Sequence, residues 1–213
     1  MTPYNRGLLM AHRITNGIER LSEKLSEGVG VDFFIASSNR QFSGVSIHGF
    51  GLIVIANGTR ELQPIAGSSD SNKSSAPRGV LAGTLTALEW ATINCEPGVQ
   101  IRINTSNEYV YKHLPMQIDK WAADPRRVNH DLIAKIQSDY DAVGRDTVSF
   151  GHLLTSDPRY AAALRFAAAA RDKRVDELVF GLRANVDDDD ESPDLTLVDD
   201  NEWLFQQRLA KDP

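Results

Sequence analysis

The fold is decided by residues 74–110, SSAPRGVLAGTLTALEWATINCEPGVQIRINTSNEYV. A polar lead-in enters a helix whose apolar positions, Val80, Leu81, Leu85 and Leu88, recur near the 3.6-residue period. Glu96-Pro97-Gly98 makes a turn, and the β-branched run Val99 to Ile103 follows it as a strand. The strand ends at Asn104-Thr105-Ser106-Asn107-Glu108, and a new helix opens with Tyr109 and Val110. Ser106 reads as its N-cap, because a hydroxyl there can satisfy free amides of the first turn.

Working outward, Leu8 to Glu27 reads as an amphipathic helix, with Ile14, Ile18, Leu21 and Leu25 on one face. It either packs on the domain's own sheet or serves a partner. Val31 to Ile35 and Val45 to Ile55 read as strands, and the Asn57-Gly58 pair favours a hairpin that returns Thr59 to Ile65. Gly49 and Gly51 sit inside a strand pattern, where glycine marks a bulge or a close backbone approach. Gly67 to Pro77 reads as a Ser/Asn/Gly-rich loop. Tyr109 to Trp121 and Asn129 to Val143 read as helices, Thr147 to Leu154 as a strand, and Pro158 to about Arg183 as a long Ala-rich helix. The order βββαβααβα implies an α/β domain, a mixed five-stranded sheet flanked by helices. Three regions follow: an N-terminal helix at 1–30, the domain at 31–183, and an acidic linker with a short helix at 184–213.

This order, together with several motifs, resembles the ribonuclease H family. Ala87-Leu88-Glu89 is similar to the end of the family's "E-L-x-A-(x)3-A-L-E" helix. Thr105-Ser106-Asn107-Glu108-Tyr109-Val110 is similar to "T-D-S-x-Y-V", Arg127-Val128-Asn129-His130-Asp131-Leu132 to "V-K-N-x-D-L", and Tyr160 to Ala167 to "N-x-x-A-D-x-L-A". The resemblance spans about residues 31–170 and implies an enzyme that cuts RNA in an RNA/DNA hybrid with two Mg²⁺ ions held by four carboxylates. Taken motif by motif, those carboxylate positions carry Ala36, Val80, Ser106 and Leu164. None can bind a divalent cation as an anion. The resemblance therefore implies a degenerate site without a catalytic residue set, in which Val80 and Leu164 close the former metal cleft with apolar contacts.

Other chemistry finds no pattern. His12, His48, His113, His130 and His152 lack zinc spacing, Cys95 has no second cysteine, and Asp32, Glu89 and Glu108 stand too far apart in the elements to converge. No cofactor is expected, Mg²⁺ entering only if an unrecognised acid set makes the chain an active hybrid nuclease. For nucleic acid, the resemblance implies a 2′-hydroxyl contact at Asn129. Arg78, Lys120, Arg126 and Arg127 are the candidate phosphate contacts.

Of the 213 residues 41% are hydrophobic, enough for one cored domain, and no apolar run reaches the length of a bilayer span. The lone cysteine and the absence of a secretory pattern point to a reducing, cytoplasmic compartment. The net charge of −6 is unevenly placed. Residues 186–213 hold ten acidic and two basic residues, leaving 21 basic and 19 acidic residues in 1–185. A near-neutral domain argues against strong nucleic-acid binding. In the acidic tail, Trp203, Leu204 and Phe205 form an apolar patch that either folds back or meets a protein partner. The reading is a non-catalytic binding module in a nucleic-acid process, with weak hybrid or duplex binding and a protein partner or self-association. The alternatives are the active nuclease and an assembly protein using its terminal helices.

Overall fold

A computed structural model describes residues 20–26, 28–71, 75 and 77–186, with side chains through residue 180. Its sheet is built on a long hairpin. Strand β1 (Gly30–Phe42) turns at Ser43-Gly44, both at positive φ (47° and 77°), and returns antiparallel as β2 (Val45–Ala56). Positive φ at both central positions matches the right-handed strand twist. Asn57 and Gly58 likewise take positive φ (53° and 70°) and lead to the two-residue β3 (Arg60–Glu61). Strand β4 (Ile65–Ser71) then pairs antiparallel with β2. On the other side of β1 lie β5 (Gln100–Thr105) and β6 (Val148–His152), both parallel. The sheet is therefore mixed and open, with six strands in place of the five expected.

The extra strand corrects the expectation of a loop at 67–77. Ile65, Ala66, Gly67, Ser68, Ser69, Asp70 and Ser71 lack apolar alternation, because β4 is an edge strand held by its ladder to β2.

Four helices complete the α/β fold: α1 (Arg78–Asn94), α2 (Leu114–Ala122), α3 (His130–Val143) and α4 (Pro158–Val186). A π-helical turn, Tyr109–His113, precedes α2. Pro115 accounts for it: proline has no amide to give the carbonyl of Tyr111 and its ring would clash there, so the turn widens and Leu114 donates back to the Tyr109 carbonyl. Ser106 is not the cap expected. The Asn107 amide donates instead to Thr105 Oγ1, and the amides of Val110 and Tyr111 reach the Asn107 carbonyl.

The main core lies between α1 and the face of β1 and β2 that carries Phe33, Ile35, Phe50 and Leu52, and it takes in Val80, Leu81, Leu85, Ile103, Val110, Ile118, Leu132 and Ile136. Gly83 lets α1 lie close to that face: a Cβ there would stand 2.7 Å from Ile35 Cγ2. Residues 20–26 are not helical, which corrects the C-terminal end of the helix expected over 8–27; residues 8–19 lie outside the described residues. Leu25 forms a bridge with Cys95, and the Leu21 amide donates to Asn94 Oδ1 at 2.7 Å. Leu21 and Leu25 pack, partly buried, on the main core, so non-helical chain seats these two of the apolar side chains that a helix was expected to present.

A second, smaller cluster fills the opposite face: Phe34, Ala36, Ile53, Leu153 and Ala163, with Tyr160 and Leu164 partly buried beside them. The described residues up to Glu177 form one compact unit; from Leu178 the chain belongs to a second, of which Leu178–Val186 is described as helix.

Candidate functional site

Strands β1 and β5 run in parallel, with Ile35 paired to Thr105, so Ala36 and Ser106 come next at the same end of the sheet. Of the four positions that the ribonuclease H resemblance assigns to carboxylates, these two stand on neighbouring strands. Ala36 is 1% exposed. It faces α4, where Leu164 joins its cluster. Val80 instead belongs to the main core on the other face, which corrects the expectation that Val80 and Leu164 close a single cleft. Successive residues of a strand point to opposite faces, and the sheet separates the two helices.

The close seat of α4 explains the burial at Ala36. Its cross-strand partner is Gly51. A Cβ at Gly51 would lie 2.2 Å from the Ala163 carbonyl oxygen, and one at Gly49 2.0 Å from that of Ala167. Both glycines thus allow close backbone approach, with Ala163 and Ala167 as the small residues on the helix. Farther along, Arg171 Nη1 donates to Ser38 Oγ at 2.6 Å and Arg174 Nη2 to Asp70 Oδ2 at 2.7 Å.

The remaining acids are spread out. Asp32 accepts from Asn104 Nδ2 at 3.4 Å and lies 3.9 Å from Arg102 Nε. Glu108 accepts from Lys112 Nζ at 2.6 Å, and that hydrogen bond holds its carboxyl below the usual range. His113 Nε2 stands 4.0 Å from Glu108, and His152 stacks on Tyr111 with ring centres 4.9 Å apart. Among the described residues no group of three or more His, Cys, Asp or Glu is arranged to hold a metal ion.

The proposed nucleic-acid contacts fall into two sets. Lys120 and Arg126 are exposed, the Arg126 side chain 91% so beside Asp124. Arg127 is half-buried, its guanidinium 3.9 Å from the centre of the Trp121 ring, which stacks on Tyr109 at 4.5 Å. Arg78 and Asn129 are buried in a clasp. Arg78 donates through Nη1 and Nη2 to both carboxylate oxygens of Asp131 and through Nη1 to Asn129 Oδ1. Asn129 Nδ2 donates to Ser75 Oγ at 2.7 Å. Asn129 takes a left-handed conformation (φ 65°) at the start of α3, so one residue joins that helix to the lead-in of α1. The charge of Arg78 is directed at Asp131 rather than outward.

One buried group was not singled out from the sequence. His48 on β2 is 1% exposed, and its Nε2 has no hydrogen-bond partner among the described residues. A histidine at an inward position of an apolar strand was the available signal.

No protein-family profile and no curated protein matches this chain. Solved structures do. A foamy viral protease-reverse transcriptase in complex with RNA/DNA hybrid superposes with a TM-score of 0.52 at 15% identity, over 66% of this chain and 20% of that one. The native protein of prototype foamy virus gives 0.53 at 15% identity, over 70% and 22%. LC9-RNase H1, a type 1 RNase H with the type 2 active-site motif, gives 0.50 at 13% identity, over 68% and 72%. The chain spans about a fifth of the length of the two foamy viral chains. The fold is ribonuclease H-like. The similarity lies in the path of the backbone, with identity too low to carry side-chain roles across.

Proposed function

We propose that this chain is a ribonuclease H-like module without metal-dependent cleavage, binding nucleic acid weakly through its surface and acting in the cytoplasm. The observation that carries the reading is Ala36, sealed beneath α4 in the middle of β1, beside the end of β5, where the resemblance places the first metal-binding carboxylate. A hydroxyl at Ser106 is a weak neutral ligand, and the valine and leucine side chains offer none. Lys120 and Arg126 remain as exposed cations for phosphate, with Arg127 beside them. The foamy viral relative in complex with RNA/DNA hybrid supports duplex nucleic acid as the ligand class. No described helix is long and apolar enough to cross a membrane, and the one cysteine is a free, buried thiol, in keeping with a reducing compartment.

The test is a cleavage assay of the purified chain on an RNA/DNA hybrid in Mg²⁺ and then Mn²⁺. The expected result is no product above a no-protein control and no metal-specific rise in melting temperature. Cleavage that a chelator abolishes, and that Asp32→Asn or Glu108→Gln weakens, would overturn the proposal in favour of an active nuclease with a different acid set.

A further inference from the structure

We propose that His48 is an acid-sensitive latch: its protonation sets a second buried cation beside Arg78 and releases the N-terminal end of α1, loosening the clasp that joins α1 to α3.

The wedge is sterically tight. Gly79 is the second residue of α1, and a Cβ there would lie 2.8 Å from Ser37 Cβ, 3.2 Å from the Gly49 carbonyl and 3.4 Å from His48 Cβ. The helix start therefore rests directly on β1 and β2 at the imidazole. His48 is buried there with Nε2 unpartnered among the described residues, and so is the buried Oγ of Ser69, opposite it on β4. Few groups are placed to welcome a charge. From α1 the facing charge is Arg78, of the same sign. From β1 come Ser37 and the cross-strand partner Asn39, neither ionisable. From β4 comes Asp70, which pairs with Ile47 in the register and so points to the α4 face, where Arg174 holds it. The helix dipole of α1 adds a partial positive charge at its start.

These surroundings act in one direction. Burial first, then Arg78, push His48 down from 6.5 to about 4, with Asp70 opposing. The folded value lies below the unfolded one, so the unfolded chain takes up the proton first. The stabilisation is complete above about pH 6.5 and is lost as the pH falls towards about 4. Because Arg78 also holds Asp131 and Asn129, the released element is the junction of α1 and α3.

The test is amide hydrogen exchange on the full chain at pH 7 and pH 5, corrected for intrinsic rates, with His48→Gln as the variant. The Leu81 to Thr86 amides of α1 are expected to open more than tenfold faster at pH 5 in the parent, with the change largely absent in the variant. Equal pH dependence in parent and variant overturns the latch. A direct titration of the His48 Cε1 proton by NMR in the parent keeps the test independent of the variant's folding. A midpoint below pH 5 supports the proposal, and an ordinary midpoint near 6.5 refutes it.

Discussion

Gly51 shows how one missing side chain sets a whole face of the molecule. Its absent Cβ is the space occupied by the Ala163 carbonyl, so α4 lies on β2 at backbone distance and seals Ala36 behind it. Gly51→Ala would require the helix backbone itself to move, which flexible side chains cannot relieve. The cost should reach about 2–3 kcal/mol, the scale of an overpacked core. Urea unfolding checks this, with an unchanged slope and a lowered midpoint expected. The twin contact at Gly49 makes the two sites neighbours, so the double variant should fall short of additivity once α4 has shifted.

At the scale of elements, the clasp between α1 and α3 carries a buried charge, where the other buried polar residues of α1, Thr84, Thr86 and Asn94, are neutral. The Arg78 side chain is 3% exposed and that of Asp131 32%, so most of the desolvation cost falls on the guanidinium. Removing the carboxylate charge leaves that buried cation among neutral acceptors such as Asn129. Asp131→Asn should therefore destabilise by about 3 kcal/mol, as for a buried pair deprived of one partner. Arg78→Met should cost less, because the Asp131 carboxylate left behind reaches water. Thermal melts of the two variants give the order, and a reversed order would show that the pair is not governed by desolvation of the arginine. The π-helical turn belongs at this scale too: Pro115 sets it locally, and it starts the path by which Trp121 and Arg127 stack.

For the whole molecule, charge decides more than any contact. Residues 1–185 carry 21 basic and 19 acidic residues, and residues 186–213 two basic and ten acidic. Such a balance gives little long-range attraction for polyphosphate, and the negative charge of residues 186–213 lowers it further. Binding of an RNA/DNA hybrid, followed by fluorescence anisotropy at two salt concentrations, should be weak for the full chain and stronger after removal of residues 186–213. The salt slope of the shortened chain should correspond to only a few phosphate contacts. No binding by the shortened chain at low salt would point to a protein partner and to the Trp203, Leu204 and Phe205 patch.

Much of the fold was legible in the chain because its signals are local. The period of Val80 to Leu88, the Glu96-Pro97-Gly98 turn, the β-branched run to Ile103 and the proline at 158 act over a few residues each. The glycines at 49 and 51 were readable as points of close approach, though not what approaches them. Strand β4 was hidden, because an edge strand of small polar residues owes its form to the β2 ladder rather than to its own pattern. The non-helical docking of residues 20–26 was hidden for the same reason: Asn94 and Cys95 supply its partners from 70 residues away or more. The candidate site divides along this line. Which residue types stand at positions 36, 80, 106 and 164 is a property of the sequence. That Val80 faces one core while Ala36 and Leu164 share another, that Arg78 turns inward to Asp131, and that His48 is enclosed without a partner were decided by the packing of two helices on opposite faces of one sheet. Burial and pairing depend on neighbours distant in the chain, and only the tertiary structure brings those neighbours together.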